Sequence, residues 1–384
     1  MSIQNIVRAV AFAACSFASM QAHAQVKIGV ITSGTGPMAL IGIPQNNSVA
    51  LLPKQIGDQS IKYIPLDDKS ATASTVTAFK KLVNEEKVDA IIGPSGSPNA
   101  MAVIPFAAET GTPVLTLVGG AAVVLPMTAE KKWMFKPSQN DDIIAQALVD
   151  EMVRRGVKTL GLILAADAFG ESWNQEMAGL TKRNGIEIVV TERFQRQDAS
   201  VTGQSLRVAM AKPDAVLIAA PGGAAVLPQA TLFDQGYKGQ IYQTHGAAMD
   251  GFLKLGGKKV EGTILAASLM LVVDEISDEH PSKKIAMAYI DEYKKLYGQV
   301  PATFGAAVYD SGLLLEQAIP VALKTAQPGT AEFRAALRDA LEQVKELPAT
   351  QGVYNITPAD HSGFDERGRV LITVEGGKWK LLRE

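Results

Sequence analysis

The chain has 384 residues, of which 47% are apolar and 20% charged, with a formal net charge of −2. That apolar content excludes a disordered chain. With no Lys/Arg-rich block, neither nucleic acid nor an anionic membrane surface is an expected partner.

Residues 1–24 carry one charged side chain, Arg8, an apolar run from Ala9 to Met20 and the ending Ala22-His23-Ala24. This small-x-small ending after a short apolar core reads as a cleavable export signal, too short to anchor the chain across a bilayer. The mature protein is expected to begin near Gln25 and to work outside the cytoplasm. A rival reading takes Ala13-Ala14-Cys15 as a lipoprotein box and leaves the chain lipid-anchored at Cys15; the short apolar stretch between Arg8 and Cys15 argues against it. Cys15 is the only cysteine, so the favoured mature chain uses neither disulfides nor thiol chemistry. Subtracting 24 from 384 leaves 360 residues, too many for one ordinary core and suited to two lobes.

Along those residues strands and helices alternate. Val26 to Thr32 is a β-branched run followed by the turn Gly34-Thr35-Gly36-Pro37 and a helical stretch. The pattern repeats as a strand from Ile61 to Leu66, a helix from Thr72 to Glu86, a strand from Ala90 to Gly93, a helix from Pro98 and a strand from Val114 to Val118. A second series runs through a helix Ile143 to Arg155, a strand Leu160 to Ala165, a helix Glu171 to Asn184 and a strand Ile186 to Thr191. It continues as a strand Ala215 to Ala220, a helix Ala224 to Gln235 and strands Gln240 to Thr244 and Thr263 to Ser268. Three helices follow, Pro281 to Tyr297, Phe304 to Lys324 and Thr330 to Lys345, and the chain closes with a hairpin around Gly376-Gly377. This order predicts an α/β protein with two doubly wound, mainly parallel sheets.

Ligands of open parallel sheets bind beyond the carboxyl ends of the strands, so the loops there are the candidate site. In Gly93-Pro94-Ser95-Gly96-Ser97-Pro98, Ser97 is placed to cap a helix that starts at Pro98. Its free amides, with the hydroxyls of Ser95 and Ser97, would attract a carboxylate or another small anion; simple helix capping without a ligand is the competing explanation. The loop Val118-Gly119-Gly120-Ala121-Ala122 has no bulky side chain, so its backbone could approach a ligand closely, or form nothing more than a tight turn.

Lys27-Ile28-Gly29-Val30 with Thr35-Gly36-Pro37, Leu66-Asp67-Asp68, Lys87 through Ser95, Gly111-Thr112-Pro113-Val114-Leu115, Ala166 through Glu171, and the Tyr289 to Phe304 region resemble the leucine/isoleucine/valine-type periplasmic solute-binding proteins of ABC importers. The resemblance covers essentially the whole mature chain. It implies a type I periplasmic binding fold: two lobes, a hinge crossed three times, a solute held between the lobes, and closure that signals to a membrane permease. The expected division is 25–141 plus 269–348 for the first lobe and 142–268 plus 349–384 for the second. It implies residence in the periplasm. Residue by residue, it carries a ligand hydroxyl onto Ser97, backbone contacts onto Gly119 to Ala121 and a cleft aromatic onto Phe169. Two departures stand out: Ala121-Ala122 replaces a Thr hydroxyl, and His245 occupies the place of the acidic residue that holds an amino-acid ammonium.

A buried ammonium without a negative partner costs several kcal/mol, about what the other contacts could supply. The expected solute is therefore a small organic acid, plausibly aromatic, with a branched-chain or other amino acid as the alternative. His245 could donate to a carbonyl, a phenol or a second carboxylate, or be an ordinary strand-end histidine. The candidate ligand-binding set is Thr35, Ser95, Ser97, Gly119, Gly120, Ala121, Phe169, Pro221 and His245. A serine hydrolase using Ser95 is the enzymatic alternative, but Gly93-Pro94-Ser95-Gly96-Ser97 lacks the last glycine of a nucleophile elbow, and His245, His280 and His361 fall in no triad context. No nucleotide loop or metal-ligand spacing is present, and Asp67-Asp68 and Asp141-Asp142 read as surface or helix-start carboxylates; no cofactor and no metal are expected.

Overall fold

The computed structural model describes residues 25–383; the export signal and Cys15 lie outside them. In chain order the elements are β1 (Val26–Thr32), α1 (Ala39–Ser48), β2 (Gln55–Ile56), β3 (Gln59–Asp67), α2 (Thr72–Asn84), β4 (Ala90–Ile92), α3 (Ser97–Thr110), β5 (Val114–Leu115) and β6 (Met134–Phe135). The second series is α4 (Asp141–Arg154), β7 (Thr159–Ala165), α5 (Ala168–Arg183), β8 (Glu187–Phe194), α6 (Thr202–Ala211), β9 (Ala215–Ala219), α7 (Val226–Asp234), β10 (Gln240–Gln243), α8 (Asp250–Gly256) and β11 (Ile264–Ala267). Then come α9 (Lys283–Tyr297), α10 (Thr303–Ala322), α11 (Ala331–Leu341), the short pair β12 (Leu347–Pro348) and β13 (Val353–Tyr354), and the closing hairpin β14 (Val370–Glu375) and β15 (Lys378–Leu381).

These strands build two separate sheets, β2-β3-β1-β4-β5-β6 and β15-β14-β11-β10-β9-β7-β8. Both are parallel through their centres, with antiparallel edges where β2 meets β3 and where β14 joins β11 and β15. The period of two sorts each central strand onto two faces. Val26, Ile28 and Val30 of β1 pack with α10 and α11, whereas Ile31 packs with Phe79, Leu82 and Val103 on α2 and α3. In the second sheet Leu160, Leu162 and Leu164 face Leu148, Trp173 and Met177, while Ile163 faces Val208 and Leu232. Each of these fully buried aliphatic side chains stabilises the lobe by roughly 1.5–3 kcal/mol. No helix among the described residues is long and apolar enough to cross a membrane.

The chain passes between the lobes at Lys136–Asn140, at the turn Leu269–Glu275 and near Glu366–Arg369. The third passage lies further along than Ala349. The reason is packing: Tyr354, Ile356 and Phe364 sit in the first lobe's core, and the chain enters the second sheet only when Val370 pairs with Ala267. The passages are laced together: Gln139 Nε2 donates to the carbonyls of Gln351 (3.3 Å) and Gly368 (2.8 Å), and Gln351 Nε2 donates to that of Pro137 (3.2 Å).

The first turn of α5 runs directly over the end of β7. A Cβ at Gly170 would lie 1.9 Å from the Ala165 carbonyl oxygen, far inside contact distance. Gly170→Ala is expected to destabilise the second lobe by about 1–3 kcal/mol through overpacking, measured as a lower midpoint of denaturant unfolding. An unchanged midpoint would show that α5 does not need this approach.

Candidate functional site

The loops after β1, β4 and β5 of the first lobe face those after β7, β8, β9 and β10 of the second. The lobes stand closed on each other. Arg196 Nη1 lies 3.2 Å from Met38 Sδ, the Ala121 amide donates to Asp141 Oδ2 at 3.3 Å, and Thr303 Oγ1 donates to the Ala248 carbonyl at 2.7 Å.

Two small cavities lie in the seam, sharing Leu117, Val118, Gly119, His245 and Phe304. One is walled by Met38, Ile41, Ser95, Ser97, Phe169, Arg196, Pro221 and Gly246 in addition. The other is completed by Ser138, Gln139, Ala248, Ser268, Thr303 and Gln351. Of the residues expected from sequence, Ser95, Ser97, Gly119, Phe169, Pro221 and His245 thus meet in one place.

Their roles differ from expectation in several respects. Ser95 is committed to the protein: its hydroxyl donates to Gln45 Oε1 at 2.5 Å and accepts from the Ser33 amide at 3.0 Å. Ser97 does not cap α3, whose cap is Gly96; Ser97 is the first helical residue, and the hydroxyl of this largely buried residue has no protein partner among the described residues. It is therefore available to a ligand. Thr35 is exposed and donates to Asp67 Oδ2 at 2.6 Å, away from the two cavities. Gly120 packs on Ser97, where a Cβ would lie 2.8 Å from its Oγ, and the Ala121 amide is used by Asp141. Gly119 shows why a side chain is not tolerated in this loop: a Cβ there would lie 2.2 Å from His245 Nε2 and 3.1 Å from the Phe169 ring.

Sequence reading missed the charged groups. Arg196 follows β8, a strand that runs on to Phe194 and so carries its loop to the cleft. Asp167 caps α5 by accepting from the Phe169 amide (2.8 Å) and holds Arg196 Nε at 2.5 Å, which aims the guanidinium; Arg196 Nη2 is buried and unpartnered. The rule that led to Ser97 would have found it had the strand been extended past Thr191.

Asp68 and Asp141 are buried, not surface carboxylates. Asp68 accepts from Ser33, Ser70, Thr75 and Asn99 and so organises the loops beside Ser95. Asp141 opens α4, and its Oδ2 accepts from Ser172 (2.6 Å) as well as from Ala121, while Oδ1 has no partner. Burial pushes its pKa up to about 7 against the opposing pull of the Lys136 charge. Lys136 itself is fully buried, donating to the carbonyls of Gly119 (3.1 Å), Ser138 (3.0 Å) and Gln139; burial pulls its pKa down to about 8. His245 lies 3.9 Å from Asp141 Oδ1, beside the Phe169 and Trp173 rings, each 6.0 Å away. Burial and the charge of Lys136 drive its pKa down to about 3, so it is neutral at physiological pH.

The other two histidines belong to the scaffold. His361 stacks on Phe135 and contacts Glu342 and the Met134 carbonyl, and His280 contacts the Arg367 carbonyl. Neither is hydrogen-bonded to Ser95, whose hydroxyl is taken by Gln45 and the Ser33 amide.

Closed lobes with an enclosed, partly charged cleft at the strand ends define a ligand-binding receptor. The periplasmic binding protein family model matches residues 25–374, and the chain belongs to that family. An extracellular ligand-binding receptor from Rhodopseudomonas palustris HaA2 is 43% identical, with a TM-score of 0.91 over 94% of this chain and 100% of its own. Two more distant structures share the fold. The leucine binding protein LivK from Thermotoga maritima is 21% identical, with a TM-score of 0.81 over 93% of this chain and 98% of its own. A solute binding protein of an ABC transporter from R. palustris, solved in complex with benzoate, is also 21% identical, with a TM-score of 0.77 over 93% and 95%. Among curated proteins none matches.

A histidine with a folded pKa near 3 against about 6.5 unfolded supports the closed form fully above pH 6.5 and loses that contribution as pH falls toward 3. The imidazole 15N shifts of His245 are therefore expected to stay flat from pH 8 to pH 5. A midpoint near 6.5 would show that the ring stands in water.

Proposed function

We propose that this chain is the extracytoplasmic solute-binding subunit of an ABC importer, exported by its first 24 residues, which captures a small aromatic carboxylate by hinge closure and hands it to a membrane permease. The observation that carries the reading is Arg196 Nη2: a buried guanidinium nitrogen without a partner, in a cavity shared with the free Ser97 hydroxyl and walled by Phe169, Phe304, Met38, Ile41 and Pro221. A guanidinium and a hydroxyl suit a carboxylate, and the surrounding apolar and aromatic wall suits a ring. Arg196 and Phe169 come from one lobe and Ser97 and Phe304 from the other, so a ligand that meets all four rewards closure. The benzoate complex of the R. palustris protein and the leucine binding protein of T. maritima bracket the same choice of solute.

Asp141 favours a second reading. Its unpartnered Oδ1 could accept from an α-ammonium, which would make the solute an amino acid. Lys136 already supplies a positive charge beside it, which lessens the gain from a second cation.

Titration calorimetry of the mature chain is expected to show binding of benzoate-like or phenylpropenoid acids, with weak or no binding of leucine or phenylalanine, and small-angle scattering is expected to show compaction on binding. Tight leucine binding would overturn the aromatic-acid reading in favour of the amino-acid one. Arg196→Ala and Arg196→Lys are both expected to weaken acid binding at least tenfold, because a charge-assisted hydrogen bond contributes roughly 1.5–3 kcal/mol and lysine cannot reproduce the planar fork. Wild-type affinity in both variants would show that the acid group binds elsewhere.

A further inference from the structure

We propose that Asp141 Oδ1 and His245 Nε2 form a second polar subsite that takes a hydroxyl group on the ligand's ring, so that this receptor selects hydroxylated aromatic acids. The inference rests on the aromatic-carboxylate reading and specifies the other end of that ligand. Asp141 Oδ1 and His245 Nε2 are both buried, both unpartnered and 3.9 Å apart. An oxygen atom placed between them can lie within ordinary hydrogen-bond distance, about 2.7–3.0 Å, of each.

Both groups are held in place. Ser172 and the Ala121 amide grip Asp141 Oδ2 and leave Oδ1 with a fixed direction, and His245 packs against both Phe169 and Trp173. Gly119 packs directly on the imidazole, where a Cβ would lie 2.2 Å from Nε2, and so holds the ring in place. Phe169 also belongs to the cavity that holds Arg196, so one ring can reach from guanidinium to imidazole along a shared wall.

The chemistry of the pair selects the group. A carboxylate can only accept, and a neutral imidazole with its proton on Nε2, facing that carboxylate, can only donate there. A hydroxyl does both at once: it donates to Oδ1 and accepts from Nε2–H. A methoxy group accepts but leaves Oδ1 unpaired, and a second carboxylate meets Asp141 as a like charge. A water molecule could also bridge the two atoms, and the experiment separates that case.

The test is calorimetric titration of the wild-type mature chain, Asp141→Asn and His245→Phe with benzoate, 3- and 4-hydroxybenzoate, 4-methoxybenzoate and terephthalate. The expected result is that at least one hydroxybenzoate binds wild type about tenfold or more tightly than benzoate, a ratio that corresponds to one charge-assisted hydrogen bond. The methoxy and dicarboxylate analogues should bind no better than benzoate. In both variants the ratio of hydroxybenzoate to benzoate affinity, taken within each variant, should fall toward one. The near-ultraviolet band of the bound hydroxybenzoate should also move to longer wavelength, as a phenol donating to a carboxylate does, a readout that needs no variant. Equal affinities across the panel, as when a water fills the gap, would overturn the proposal, and so would a preference that survives both substitutions. Loss of all aromatic-acid binding in wild type would instead overturn the parent reading and this one with it.

Discussion

The cleft is built around a buried ammonium. Lys136 stands at the first passage between the lobes, with no exposed surface, and spends its donors on the carbonyls of Gly119, Ser138 and Gln139. Removing such a charge from water costs several kcal/mol unless dipoles replace the water, which is what those carbonyls do. The consequence is geometric. The loop after β5 cannot shift without stripping a partner from Lys136, so Gly119 and Gly120 keep fixed positions relative to the hinge. Asp141, five residues on, takes its place in the same field: the positive charge favours its ionised form, burial opposes it, and the balance leaves a carboxylate whose state responds to what approaches. The imidazole of His245 feels the same positive charge and is kept neutral by it.

A second constraint is close approach. Gly119 lets His245 and Phe169 of the second lobe meet the first lobe's backbone, and Gly120 lets that backbone settle on Ser97. At Gly119 the closed interface therefore sets main chain on one side against rings on the other. Such a seam is shape-selective for flat molecules, because a ring can slide between a backbone and an aromatic wall with little rearrangement.

The architecture was legible in the sequence because hydrophobic period is a local signal. Alternating strands and amphipathic helices announced two wound sheets, and the positions of Ser97 and Gly119 followed from where strands end, whereas Phe169 and His245 came from the family resemblance. What escaped were long-range facts. Whether 349–365 belongs to the first or the second lobe depends on Tyr354 and Phe364 finding a core contributed by residues far away in the chain. That Ser95 serves Gln45 and Ser33, and is not free for a ligand, depends on a helix that returns from elsewhere. Asp141 resembled any helix-start carboxylate, since nothing local distinguishes an N-terminal aspartate in water from one sealed under another lobe. Arg196 was hidden by a strand that continues through Glu192 and Arg193, charges that mimic a loop.

The unpartnered atoms explain how recognition and closure become one event. Shutting the lobes buries Arg196 Nη2 near one end of the seam and Asp141 Oδ1 and His245 near the other, and the protein itself pairs none of them. Each such group left dry opposes closure by about 1–3 kcal/mol. A guest that satisfies only one end leaves the other end's cost standing, so the open form retains the advantage even though the guest binds. A guest that satisfies both removes the whole penalty, and the difference between these two cases spans several kcal/mol, enough to move a two-state equilibrium by two or more orders of magnitude. On the proposed function, the same atoms that choose the solute also decide whether the lobes stay shut, and no separate device is needed to keep a poorly matched molecule from being presented as cargo.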